Sequence, residues 1–225
     1  MIRIAPSILS ADMSCLSREV KRAEQAGADL LHIDVMDGNF VPNITFGPAI
    51  VNAIRKETKL PLDIHLMVNH PESHIKSFID AGGDTIIVHI EACSGNIISL
   101  IKEIRNHERK AGVAVKLNTS LSKIAHIFNC LDTVLLMSVN PGFAGQSFDR
   151  RVVPKIEALE KIRCEKGYRF DIEVDGGINF HTASLGVRAG ATILVAGSAV
   201  FEQSDIKKAI KDLRKSLLNC ECDRK

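Results

Sequence analysis

Apolar residues along the chain fall into two alternating patterns. Short β-branched runs at 3–9, 30–36, 62–68, 85–90, 113–117, 133–139, 171–174 and 192–195 predict eight strands. Stretches with helical periodicity at 15–26, 48–57, 71–81, 97–109, 122–128, 153–166, 182–188 and 205–218 predict eight helices between and after them. Gly27, Gly82, Gly112, Gly167 and Gly190 follow helical stretches, where a left-handed cap suits a residue without a Cβ. The phrase that ends a helix also recurs, as Ala26-Gly27-Ala28-Asp29, Ala81-Gly82-Gly83-Asp84 and Ala189-Gly190-Ala191-Thr192. Repeated βα units are the simplest reading. Eight of them in 225 residues predict an α/β fold, a single (β/α)8 TIM barrel over 1–218, with a flexible polar tail at 219–225. A doubly wound open sheet is the alternative, because alternation alone does not close a barrel.

Polar residues inside the strands favour closure. In the second strand a period of two puts His32, Asp34 and Met36 on one face and Leu31, Ile33 and Val35 on the other. The apolar face suits a helix layer, so His32 and Asp34 point inward. The third strand likewise aligns Asp63, His65 and Met67, and Asp175 ends the seventh. Isolated buried carboxylates and imidazoles cost several kcal/mol each, so such a ring demands pairing or a cation. His32, Asp34, His65 and Asp175 make a mixed nitrogen and oxygen set suited to Zn, Fe(II), Co or Mn rather than Mg or Ca. The same pattern also fits a metal-free Asp–His network or acid–base site. His89 on the fourth strand reads as a hydrogen-bonded core histidine, and His70, His74, His107, His126 and His181 as surface residues.

Glycine clusters end three neighbouring strands. Asn140-Pro141-Gly142-Phe143-Ala144-Gly145-Gln146 follows the sixth, Gly176-Gly177 the seventh and Gly197-Ser198 the eighth. Their backbone N–H groups could cradle an anion, and in barrels the last two loops are the usual phosphate site. Tight turns are the plainer alternative. No Gly-x-Ser-x-Gly elbow stands out. Lys116 could form a Schiff base, but a solvated charge at the barrel mouth fits it better. Two carboxylates flanking one carbon can act as base and acid in turn, and a Lewis-acid metal would stabilise the enediolate between the two transfers.

Composition narrows the partners. Lys plus Arg number 29 against 27 Asp plus Glu, aromatic residues make up 4%, and Trp is absent. Neither phosphate neutralisation nor base stacking has enough material, so no nucleic acid is expected. Six cysteines without a Cys-x-x-Cys pair, and an N-terminus without an apolar leader, fit free thiols in a cytoplasmic protein. The longest nearly apolar stretch, 189–201, is too short to span a bilayer, so no membrane is expected.

Long ordered phrases at the strand ends resemble the ribulose-phosphate 3-epimerase family. They are Ile4-Ala-Pro-Ser-Ile-Leu-Ser-Ala-Asp12, His32-Ile-Asp-Val-Met-Asp-Gly-Asn-Phe-Val-Pro-Asn43 and Asp63-Ile-His-Leu-Met-Val68, then Met137-Ser-Val-Asn-Pro-Gly-Phe-Ala-Gly-Gln146, Glu173-Val-Asp-Gly-Gly-Ile178 and Val195-Ala-Gly-Ser-Ala-Val-Phe201. The resemblance covers almost the whole chain. It implies a barrel of the ribulose-phosphate binding type that interconverts D-ribulose 5-phosphate and D-xylulose 5-phosphate in the pentose phosphate pathway. It implies one divalent metal ion on His32, Asp34, His65 and Asp175, with Asp34 and Asp175 as the acid–base pair. It further implies substrate contacts by Ser7, His32 and His65, by Met36, Met67 and Met137 beside the enediolate, and by Gly142, Phe143, Ala144, Gly145, Gly176, Gly177, Gly197 and Ser198 at the phosphate. The partners it implies are a small-molecule sugar phosphate and further copies of the chain in a homo-oligomer. A 3-epimerase of another ketose phosphate, such as a ketohexose 6-phosphate, and a non-catalytic sugar-phosphate-binding barrel are the competing readings. The loop 116–121 lacks the family's frequent proline, and the Cys220-Glu221-Cys222 tail has no counterpart.

Overall fold

The computed structural model describes residues 2–93 and 96–221. Eight parallel strands follow one another around a nearly closed barrel: β1 (Arg3–Pro6), β2 (Leu31–Met36), β3 (Leu62–Met67), β4 (Thr85–His89), β5 (Lys110–Val115), β6 (Thr133–Met137), β7 (Asp171–Asp175) and β8 (Ile193–Ala196). The β1–β8 ladder joins the first and last strands. The seam between β1 and β2 is closed by a bridge between Ser7 and His32 and by Ile4, whose N–H donates to Asp29 Oδ2 at 2.7 Å. The barrel rather than the open sheet is therefore the fold.

Helices α1 (Leu16–Gln25), α2 (Pro48–Glu57), α3 (Ile75–Asp80), α4 (Ile97–Asn106), α5 (Val152–Lys166), α6 (Ala183–Ala189), α7 (Ser198–Phe201) and α8 (Ile206–Glu221) complete the chain. The largest apolar cluster fills the layer between strands and helices, and holds Leu31, Ile33 and Val35 as their alternation requires. Inside the barrel the apolar residues form three smaller groups, Ala5 with Ile193 and Val195, Ile87 with Ala114, Leu135 and Met137, and Met36 with Met67 and Val41. The buried polar residues lie between them.

Several boundaries differ from the sequence pattern. The stretch expected as a helix at 122–128 forms two 3-10 segments, Leu121–Lys123 and Ala125–Cys130, and the one at 71–81 splits into a 3-10 turn, Pro71–Ser73, and α3. Gly112 does not cap α4. It lies within β5, where a Cβ would come within 2.7 Å of Ile87 Cγ1, so glycine permits the close approach of β4. The left-handed turn after α4 is made instead by Glu108 at φ 57°. The backbone of α8 continues past 218 to Glu221, because the apolar repeat that docks Ile206, Ile210, Leu213 and Leu217 carries the helix on; Cys222 lies outside the described residues. Cys15, Cys93, Cys130 and Cys164 are free thiols. Among the described residues no helix is long and apolar enough to cross a membrane.

The loop 116–121 needs no proline to hold its shape. Lys155 of α5 sends its ammonium to the carbonyls of Lys116, Leu117 and Thr119 at 2.8, 2.5 and 2.7 Å. One cation thus satisfies three acceptors that would otherwise need water.

Candidate active site

Register brings the inward polar residues to one level. β2 and β3 pair His32 with Asp63 and Asp34 with His65, while β7 ends in Asp175. Potential ligand atoms of His32, Asp34, His65 and Asp175 all lie within 4.8 Å of one another. Asp34 Oδ1 is 3.1 Å from His65 Nδ1 and 3.5 Å from His32 Nε2, and those two nitrogens are 3.3 Å apart. Several lone-pair atoms converging on one point require a proton or a cation between them. Two imidazoles and two carboxylates fit a borderline divalent ion such as Zn, Fe(II), Co or Mn.

The two carboxylates have opposite proton affinities. Burial disfavours charge on Asp34, but His32 and His65 outweigh it and hold its carboxyl far below the usual range. Burial, followed by repulsion from Asp34, pushes Asp175 up to about 7. Burial also opposes charge on His32, yet Asp34, Asp63 and Glu173 raise its pKa well above the ordinary value. His65 is drawn down to about 4, chiefly by burial. Ser7 Oγ donates to Asp34 Oδ2 at 2.5 Å, so one oxygen of that carboxylate faces the imidazoles and the other faces the serine.

Above this cluster opens a cleft of about 230 Å³. Ser7, Asp34, Met36, Met67, Met137 and Asp175 line it, together with Gly142, Phe143, Ala144, Gly145, Gly176, Gly177, Gly197 and Ser198. His32 and His65 are fully buried beneath. The glycines are not interchangeable with other residues. Gly177 has φ +60°, and a Cβ there would lie 2.1 Å from the Phe148 nitrogen, so the turn after β7 packs against the backbone that follows the 140–146 loop. That loop is pinned internally, with Gln146 Nε2 donating to the carbonyls of Asn140 at 2.7 Å and Phe143 at 3.0 Å. Asn43 Nδ2 ties it to the loop after β2 through the Gly142 carbonyl, at 3.2 Å.

Four polar groups stand behind the cluster that the sequence did not single out as functional. His32 Nδ1 is 3.2 Å from Asp63 Oδ2 and 3.1 Å from Glu173 Oε1, and burial and the neighbouring Asp63 raise the Glu173 pKa well above normal. The same period of two that aligned His65 and Asp175 carries these two acids, so the signal was present. His89 is hydrogen-bonded and fully buried, as expected, and its Nε2 lies 2.9 Å from His65 Nε2. Its partner Glu91 sits in a 3-10 turn, Ile90–Ala92, and no strand alternation could place it. His70, His74, His107, His126 and His181 are all exposed. Lys116 does not line the cleft; its ammonium lies 4.0 Å above the centre of the Phe40 ring.

The model of the ribulose-phosphate 3 epimerase family matches residues 3–201. A ribulose-phosphate 3-epimerase of Bacillus subtilis is 53% identical over 96% of this chain and 100% of its own length. A chloroplastic ribulose-5-phosphate-3-epimerase of Arabidopsis thaliana is 48% identical over 96% of this chain and 77% of its own. Among solved structures, a 3-hexulose-6-phosphate synthase from Salmonella typhimurium superposes with a TM-score of 0.76 over 97% of this chain and 100% of its own. At 16% identity that likeness speaks for the barrel alone.

Proposed function

Because the chain belongs to the ribulose-phosphate 3-epimerase family and is an isomerase acting on carbohydrates, we propose that it interconverts D-ribulose 5-phosphate and D-xylulose 5-phosphate by proton transfer at C3. Asp34 and Asp175 are the proton carriers, and residues 1–218 work as one catalytic barrel. The observation that carries this reading is the placement of two carboxyls, Asp34 and Asp175, on one cleft. An ionised group can take the C3 proton while a protonated one supplies the other face, and the roles exchange in the reverse direction.

His32, Asp34, His65 and Asp175 would hold one divalent metal ion. When bound, it supplies Lewis-acid stabilisation of the charge that develops on the substrate oxygens beside C3. The chain's own residues do the rest. Ser7 holds Asp34 Oδ2 in place, which fixes the direction in which that carboxylate meets C3. Met36, Met67 and Met137 line the cleft with side chains that carry no exchangeable proton, so they do not compete with the two aspartates for transfer at C3. The phosphate would sit at the mouth beside Gly176, Gly177, Gly197 and Ser198, where the first amides of α7 have no carbonyl of their own helix to bond.

The test is NMR of D-ribulose 5-phosphate in D₂O with chelated and metal-restored protein. D-xylulose 5-phosphate carrying deuterium at C3, formed only with metal, is the expected result. Epimerisation that persists without metal would remove the ion from the mechanism. Neither product nor exchange, with folded, metal-loaded protein, would overturn the substrate assignment.

A further inference from the structure

His65 presents two nitrogens to two different surroundings. Nδ1 faces Asp34 and His32, and Nε2 lies 2.9 Å from Nε2 of His89. Two imidazole nitrogens at that distance share a single hydrogen, so one ring donates and the other accepts. The far side of His89 decides which. Its Nδ1 lies 3.0 Å from Glu91 Oε2, and a carboxylate can only accept. Glu91 is ionised: although burial opposes charge, His89, Thr119 and the Lys116 N–H lower its pKa to about 2. His89 therefore carries its hydrogen on Nδ1 and, as a neutral ring, has a bare Nε2. His65 must then donate from Nε2, which leaves its Nδ1 lone pair aimed at Asp34 and His32.

We propose that Glu91 and His89 are positioning residues that set the tautomer of His65 through two successive hydrogen bonds, presenting its unprotonated Nδ1 as a metal ligand. This rests on the reading of His32, Asp34, His65 and Asp175 as a metal site. Neither Glu91 nor His89 lines the cleft, so they act on substrate only through His65. Both outer members of the relay have further partners. The Lys116 N–H donates to Glu91 Oε1 at 2.8 Å, and the Phe40 ring covers His89 with centroids 4.8 Å apart. Without the relay, His65 would be free to carry its hydrogen on Nδ1 and donate it to Asp34, 3.1 Å away, and the ligand lone pair would be lost.

The experiment compares wild type, His89→Phe, His89→Gln and Glu91→Ala, each checked for folding by thermal unfolding. Two measurements are made on each: the His65 tautomer from ¹⁵N shifts in chelator-treated protein, and Zn²⁺ affinity by chelator competition. Wild type is expected to show the Nε2–H tautomer. His89→Phe should move His65 toward Nδ1–H and weaken Zn²⁺ binding by about 10–100-fold. His89→Gln keeps an acceptor oxygen for His65 and should restore both values to within about threefold of wild type. Glu91→Ala should act in the direction of His89→Phe, and it carries the test should His89→Phe not fold. Unchanged tautomer and affinity in a folded His89→Phe would overturn the proposal. Failure of wild type to bind Zn²⁺ would overturn the metal reading instead, and the His65 tautomers of wild type and variants would still decide whether the relay exists.

Discussion

The barrel interior is two halves built on opposite principles. On β2, β3 and β7 the inward positions are His32, Asp34, Asp63, His65, Glu173 and Asp175. On β4, β5 and β6 they include Ile87, Ala114, Leu135 and Met137, with His89 at the end of β4 as the imidazole that meets the polar side. The same fold and the same alternation therefore serve two ends. The apolar half returns free energy from burial alone, whereas each group of the polar half is costly to bury unless a neighbour or an ion offsets it. The groups proposed to perform the chemistry are concentrated where the fold is least self-sufficient.

Changes in the two halves should separate activity from stability. Asp175→Asn removes a proton carrier and a ligand together and should lower turnover by roughly three orders of magnitude or more, read as kcat with saturating metal. Chelation should abolish epimerisation and leave the barrel folded, since the apolar clusters do not involve the ligands; circular dichroism and turnover together check this. Leu135→Ala, by contrast, should cost about 2–5 kcal/mol of stability in denaturant unfolding while kcat of the folded enzyme changes little. A large loss of kcat with unchanged stability there would erase the distinction between the halves.

Acid should weaken metal binding through the polar half alone. Asp175 is protonated below about 7 in the metal-free protein, and the ion must displace that proton. Affinity should rise with pH by about tenfold per unit below 7 for each proton released, and go on rising above 7 while His32, whose pKa is raised, still loses a proton to the ion. Affinity independent of pH from 5 to 8 would contradict the ligand set. The smallest effect is expected at Glu173, where burial and the neighbouring Asp63 favour the uncharged carboxyl. Glu173→Gln preserves its shape and neutrality, and stability should stay within about 1 kcal/mol of wild type by thermal unfolding.

The halves also differed in legibility. His32, Asp34, His65 and Asp175 could be placed from sequence because polar residues at every second position of an otherwise β-branched run are too costly to bury for packing alone. The apolar half was less marked at its ends. β5 begins at Lys110, earlier than its apolar run, because Gly112 resembles a helix cap until its closeness to Ile87 is seen. Glu91 was invisible for a related reason: it reaches His89 by a 3-10 turn that folds back on its own strand. Contacts that depend on how a loop returns carry no period. The cleft glycines were legible as turns, but only the packing of Gly177 on Phe148 shows why no side chain fits there.

The most direct test of the account follows C3 in Asp175→Asn. With metal bound and in D₂O, Asp34 remains able to remove and return a proton on its own face while the opposite face has no carrier. Solvent exchange at C3 of one epimer should therefore outlast epimerisation by at least about tenfold. Exchange and epimerisation lost in equal measure, or epimerisation within about tenfold of wild type, would contradict the assignment of one proton carrier to each face.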